Sequence, residues 1–393
     1  MAEYKIPFSV RSHHYTEEEI QLVVECMRRS NSLTQGESLL ELENKFARYI
    51  GVEHAFGISN ATSGLELAAQ LCQPSSEDEV VVPGHTFTSS AYPFAKQSAK
   101  LVWADIDSET RVVSAEQLEK CITKNTKVIV VPHLYGYAAD MPAIMELADS
   151  MNVLVVEDVA QAIGVEVNGQ MAGSFGDIAV FSFHGHKNIT TLGEGGMIVV
   201  KSEKYANVLP MLRHNGHCDF EFKRENYWIP AMGNVDFPAV DGATLWPNNY
   251  CIGEAQCALA SKLLERVDSI NSTKRERALR IIDKLAAYPE IKFHRVNDRR
   301  HNYHLLAASL ADGKRDEFIS RMAKQYGIQC AVQYYPLYRY SFYKKIGFSH
   351  AVCPNTDKYF DNMVSFPFGH SLTDTELNTI TTSTISVLDS MRD

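Results

Sequence analysis

Apolar positions in the first fifty residues recur at helical spacing. "TEEEIQLVVECMRR" opens on Thr16 and carries Glu19 three residues later, a capping-box pattern that starts a helix. Leu39, Leu42, Phe46 and Tyr49 or Ile50 then mark one face of a second helix, so residues 15–50 are predicted helical. From residue 55 to 200 the pattern alternates. "EVVVPGHTF", "AKLVWADID", "KVIVVPHLYG" and "NVLVVEDVAQ" each run apolar and then break into polar or glycine-bearing turns, with helical stretches between them. Such β-branched runs lack strict alternation, which predicts strands buried on both faces of a parallel sheet covered by helices. Ligands of such sheets sit at the carboxyl ends of the strands. The residues to inspect are therefore His85, Thr86, Phe87, His133, Tyr135, Asp158 and Gln161.

Residues 214–250 are rich in Asn, Pro, Gly and aromatics and predict a long functional or interfacial loop. A helix-rich stretch over 252–287 leads into a C-terminal region. There "YHLLAASL", "DEFISRMAKQYGIQCAV" and "TDTELNTITTSTISVL" predict strand, helix, strand and helix. A chain of 393 residues is long for one core. The expected division is a large domain over 1–250 with an N-terminal helical segment, and linking helices with a smaller α+β domain over 251–393.

Composition narrows the function classes. No apolar run approaches the roughly 18–20 residues that span a bilayer, and "MAEYKIPFSVRSHH" has no apolar signal core. The net charge of −10, without a Lys/Arg cluster, argues against a nucleic-acid partner. The eight cysteines show neither a Cys-x-x-Cys pair nor metal-ligand spacing, so no metal is expected. They read as reduced thiols of a cytoplasmic protein.

Four local signals carry chemistry. Asp158 follows a buried strand directly, where a carboxylate meets a ligand cation or merely caps a turn. Lys187 lies 29 residues on, past the apolar run "IAVFSF" and before a Gly-Glu-Gly-Gly turn. Desolvation there lowers an amine's pKa and frees it for Schiff-base chemistry. Thr62 and Ser63 precede a helix and offer hydroxyls and free N–H groups to a phosphate. Phe87 stands where it can cover one face of an aromatic ring. A reactive amine, a carboxylate, a helix-end phosphate cup and a stacking aromatic together describe a pyridoxal phosphate (PLP) site.

Longer motifs sharpen this. "SLTQGESLLELENKFARYIG", "SNATSGLELA", "VVVPGHTFTSSA", "VPHLYGYAADM", "VVEDVAQAIG", "SFHGHKNITTLGEGGM" and "NNYCIGEAQCAL" follow one another along the chain. In that order they resemble the DegT/StrS family of sugar aminotransferases, over nearly the whole length. The resemblance implies a fold-type I PLP transferase: an α/β fold with a large mostly parallel-sheet domain and a smaller C-terminal α+β domain. It implies that Lys187 holds the cofactor as an aldimine, and that Asp158 pairs with the pyridinium nitrogen. Gln161 would contact the ring's 3-oxygen. Thr62, Ser63 and Ser182 would bind the phosphate, and Phe87 would stack on the ring. Asn249 would reach the phosphate of a neighbouring subunit, which makes a homodimer with shared sites.

The implied reaction is ping-pong transamination from glutamate or glutamine to a keto-sugar, usually nucleotide-linked, with Lys187 moving the proton. Family members with histidine at the lysine position dehydrate the sugar instead, and the spacing from Ser182 places Lys187, not His186, in that slot. A PLP-dependent sugar dehydratase and a non-catalytic regulator on the same fold are the competing readings. The chain departs from the family at Cys251, Ile252, Gln333 and Tyr338, and in a longer segment before Asn249. These departures fall on the substrate side. They keep open a sugar phosphate, an inosose or a small phosphorylated ketone as acceptor. His133, Tyr135, Arg213, His214 and Trp246 are the candidate substrate-side residues.

Overall fold

Thr16 caps the first helix, α1 (Glu17–Arg29): its hydroxyl accepts from the Glu19 N–H, and the Glu19 carboxylate takes the Thr16 N–H in return. Helix α2 (Glu37–Ile50) buries Leu39, Leu42, Phe46 and Ile50, the predicted stripe, and ends at Gly51 in the left-handed region. The computed structural model describes residues 4–8, 12–218, 234–236, 239–311 and 313–392. Residues 219–233, 237 and 238 of the predicted 214–250 loop therefore lie outside the described residues.

Seven strands form the large sheet: β1 (His54–Ile58), β2 (Glu79–Pro83), β3 (Lys100–Ala104), β4 (Thr126–Pro132), β5 (Leu154–Asp158), β6 (Ile178–Ser182) and β7 (Gly196–Val200). Their order is β1-β7-β6-β5-β4-β2-β3. Strands β3, β2, β4, β5 and β6 pair in parallel, while β7 is antiparallel to both β6 and β1. Successive residues of β4 enter opposite cores: Ile129 and Val131 pack with Phe46 and Phe181, whereas Val128 and Val130 pack with Val180 and Ile198. Burial on both faces explains why these strands read as continuous apolar runs.

Helix α3 (Ala61–Cys72) follows β1 and starts at the same sheet edge where β2, β4, β5 and β6 end. Its approach is close: a Cβ on Gly64 would stand 2.5 Å from Ile58 Cδ1 and 2.7 Å from Val180 Cγ1. The N-terminus of α3 is thereby held against the carboxyl end of β6.

Helices α4 (Glu254–Leu263) and α5 (Val267–Leu285) bridge to the second unit. By packing, Ile252 through Ile270 join the first core, whereas Ala278 through Leu285 join the C-terminal one, along with Ile6. The C-terminal sheet is antiparallel, in the order β8 (Ile291–Phe293), β9 (Leu306–Leu310), β10 (Met363–Phe366). Helices α6 (Arg315–Tyr326) and α7 (Asp374–Ser390) pack with it. One expectation fails here. The run "IQCAV" after α6 makes only isolated bridges, Ile328 with Ile6 and Ala331 with Ser365, and "MVSF" supplies the strand instead. The fold is nonetheless the α/β architecture expected, a large mostly parallel sheet with a smaller α+β unit. Among the described residues no helix is long and apolar enough to cross a membrane.

Candidate active site

The ends of β2, β4, β5 and β6 and the start of α3 surround a cavity of about 630 Å³. Thr62, Phe87, Asp158, Gln161, Ser182 and Lys187 all stand on its wall, together with residues of the C-terminal unit such as Tyr334 and Phe368. Six of the predicted cofactor residues are thus gathered although the first and last are 125 positions apart in the sequence (187 − 62). The reason is topological: parallel strands with helical returns put every strand end on one edge.

Asp158 closes β5 and is buried. Its Oδ2 accepts the Ser90 hydroxyl at 2.7 Å and its Oδ1 the Ala160 N–H at 3.1 Å. Lys187 is half-buried on the same wall. Burial pushes its amine down to about 8, while the Asp158 carboxylate pulls the other way. His186 beside it is exposed. The loop carrying both turns back at Leu192 and Gly193, each at positive φ, and the Thr191 hydroxyl donates to the Glu194 carbonyl at 2.9 Å.

Gln161 is held from two sides: its Oε1 accepts the Tyr135 N–H at 2.7 Å and its Nε2 donates to the Tyr334 hydroxyl at 2.9 Å. The Tyr135 backbone sits at φ 61°, uncommon outside glycine, and its hydroxyl is fixed by His85 and by the Gln333 carbonyl, each at 2.6 Å. Tyr135 therefore orients Gln161 from beneath and is not on the cavity wall.

Thr62 hydrogen-bonds Ser89 at 2.9 Å, and the first N–H groups of α3 have no intrahelical acceptor. Ser63 departs from expectation. Asn60 Oδ1 takes its N–H at 2.9 Å and its hydroxyl oxygen accepts the Asn60 N–H at 3.3 Å, a capping box, while the hydroxyl donates to the Asn60 carbonyl at 2.6 Å. Ala61, Thr62 and Ser182 line the cavity at this end, and Ser63 does not. Phe87 is exposed at 52%, with Tyr334 edge-on at 6.0 Å, so its ring is available to a bound group. Asn249 is exposed and lies off the cavity of its own chain.

The substrate-side candidates are corrected more heavily. His133 reaches the wall, but its Nδ1 accepts the Ala139 N–H at 3.1 Å and its Nε2 donates to Glu157 at 2.9 Å. Arg213 is buried against the Gly57 carbonyl and Glu43, away from the cavity. His214 packs edge-on against His217 at 5.0 Å, and Trp246 is 80% exposed; neither lines the cavity. His133 and Arg213 are thus held by partners distant in sequence, His214 by a ring three residues on, and Trp246 faces solvent.

Glu157 went unnoticed in the sequence. It is fully buried and takes the N–H groups of Gly173, Phe175 and Gly176 besides His133. Burial alone would raise its carboxyl; the His133 bond and the backbone donors outweigh burial and hold it below the ordinary range. Its signal was an acidic residue inside the apolar run "LVVED". Glu157→Ala is expected to lower stability by about 3–5 kcal/mol at neutral pH in urea unfolding. A depressed carboxyl contributes stability above its unfolded pKa and loses it as pH falls through the folded one. The gap between variant and wild type should therefore narrow in acid.

A sequence model of the DegT/DnrJ/EryC1/StrS aminotransferase family matches residues 14–384. The chain is 35% identical to a GDP-perosamine synthase of Caulobacter vibrioides over 322 residues, covering 80% of this chain and 81% of that one. It is 29% identical to a dTDP-3-amino-3,4,6-trideoxy-alpha-D-glucose transaminase of Micromonospora megalomicea, with 87% of each covered. Among solved structures, the sugar-aminotransferase candidate Spr1654 of Streptococcus pneumoniae, in its PLP form, superposes with a TM-score of 0.85. Identity is 27%, over 98% of this chain and 99% of that one.

Proposed function

The chain belongs to the DegT/DnrJ/EryC1/StrS aminotransferase family, and from that premise we propose that it is a PLP-dependent enzyme. It transfers an amino group from glutamate or glutamine to a keto-sugar carried on a nucleotide. The observation that carries this reading is a half-buried lysine sharing one cavity with a buried aspartate at the next strand end. When bound, the cofactor supplies the electron sink that lets an amino group and a proton change places.

The chain's own residues do the rest. Lys187 would hold the cofactor through its amine and, when free, would carry the proton. Asp158, oriented by Ser90, would keep the ring nitrogen protonated. Thr62, Ser182 and the free N–H groups of α3 would receive the phosphate, and Gln161, fixed by Tyr135 and Tyr334, would meet the ring's oxygen. Gln333 adds a buried side-chain oxygen on the wall with no partner among the described residues, an acceptor left for a bound group. Asn249, exposed and off its own cavity, suits a homodimer in which it serves the neighbouring site. The eight free thiols suit a reducing, cytoplasmic setting. Relatives acting on GDP- and dTDP-linked sugars favour a nucleotide-linked acceptor.

The direct test takes the coloured holoenzyme and adds amino donors one by one. Bleaching by glutamate or glutamine, with colour restored by a nucleotide keto-sugar, is the expected result. Parallel lines in double-reciprocal plots would establish the two-stage order. A protein indifferent to every donor sinks the reading. A second prediction concerns the cofactor-free protein. Only the neutral amine is nucleophilic, so the rate of cofactor capture should rise with pH and reach half its limit near about 8. Stopped-flow absorbance measures it; a rate flat across that range would contradict the assignment.

A further inference from the structure

The fixed charges on the cavity wall, among the described residues, are Asp158, Glu194, Lys187 and Lys274. Three are accounted for. Lys187 and Asp158 serve the proposed chemistry, and Glu194 lies 3.9 Å from the His184 ring. Lys274 has no such role. It sits on α5, where the buried stripe runs Val267, Ile270, Asn271, Lys274, Ala278 and Ile281. Its side chain is among the largest that are fully buried.

A buried ammonium needs a counter-charge, and Lys274 forms no ion pair among the described residues. Its Nζ donates to two neutral oxygens, Asn188 Oδ1 at 2.8 Å and the His304 carbonyl at 3.1 Å. An ammonium has three N–H donors; the third meets no oxygen among the described residues and lies beside the cavity, with the Phe368 ring centre 5.7 Å from Nζ. The position is rigid. Asn188 is turned by its own bond to Asn271 Oδ1 at 2.7 Å, and Asn271 in turn donates to the Ile163 carbonyl at 2.9 Å. Burial and the neighbouring Lys187 both work against the charge, pushing the Lys274 amine down to about 7. A leucine would fill this helix position without that penalty. The arrangement makes sense for a cation kept for a visiting anion, bonded to Asn188, the residue that follows the reactive lysine.

We propose that Lys274 pairs with an anionic group of the bound substrate, a carboxylate or a phosphate. The proposal rests on the aminotransferase reading above and adds to it the group that recognises charge. Two sources share this chemistry: the carboxylate of the amino donor and the diphosphate of a nucleotide-linked acceptor.

The test uses holoenzyme carrying Lys274→Gln, which keeps a donor and removes the charge, and Lys274→Arg, which keeps the charge. L-Glutamate titration, followed by the cofactor's visible absorbance, separates the dissociation constant from the limiting rate. Calorimetric titration with GDP and dTDP reads the other source. Lys274→Gln should weaken one of these ligands about tenfold or more, with the limiting rate within about threefold of wild type. Lys274→Arg should restore most of the affinity, which a merely structural role would not produce. The arm that moves names the source. Lys274→Met, of similar volume, takes the place of the glutamine variant if that protein does not fold. Unchanged constants in both arms, in a charge-removed variant with the wild-type spectrum, overturn the proposal. A wild-type protein that no amino donor bleaches would instead refute the aminotransferase reading, while the nucleotide arm still reports on Lys274.

Discussion

Lys187→Ala should leave a protein without the visible band of enzyme-bound cofactor and with transamination reduced by at least about a thousandfold. The lysine is asked to do two things, to bond the cofactor and to carry a proton. Positioned proton transfer alone is worth about 10²–10⁴ in rate. Its geometry supports both: the amine is half-buried on the cavity wall and its proton is loosened by burial. His186 is the control. It is exposed one position earlier, so His186→Asn should keep the band and most of the rate. Survival of the band in Lys187→Ala would mean that another amine bonds the cofactor, and its loss in His186→Asn would mean that the histidine shapes the site; either would overturn this assignment.

Asp158→Asn is the second large effect. Asparagine retains the shape and an acceptor oxygen for the Ser90 hydroxyl, so the change isolates the charge. Loss of a preorganised electrostatic partner in a buried site costs roughly 10²–10³ in kcat. A second readout separates this from misfolding. The Asp158 carboxylate raises the Lys187 amine against burial. Removing it should therefore move the pH midpoint of cofactor capture below that of wild type. A variant within tenfold of wild type, with an unmoved midpoint, would remove Asp158 from the chemistry.

The gathering of the predicted cofactor residues on one cavity wall was largely legible because they are placed by local rules. Asp158 and Ser182 end strands whose apolar runs are plain in the sequence, and Thr62 opens a helix whose cap is equally plain. Ser63 shows the limit. Whether a hydroxyl at a helix start faces a ligand or closes a capping box depends on the rotamer and on Asn60, and here the box wins. The substrate side was not legible. His133, Tyr135 and Arg213 follow strands or helices as active-site residues do, yet each is committed to Glu157, to His85 and Gln333, or to Glu43. Those partners lie 24 to 198 positions away, beyond any local pattern. Lys274 did leave a trace: a lysine on the apolar stripe of α5, where a surface lysine has no reason to be.

The sequence by itself determined the parallel-sheet fold, the chain order of its chemical groups and Lys187 as the candidate amine. Period and capping act over a few residues and need no partner. Only the tertiary structure decided which polar side chains face the cavity and which are spent elsewhere. It brought Lys274 from the bridging helix α5, and Tyr334 and Phe368 from the C-terminal unit, to the wall, and it sent Arg213 and Trp246 away. The physical reason is that a buried hydrogen-bonding group must find a partner. Which partner it finds is settled by packing between segments far apart along the chain.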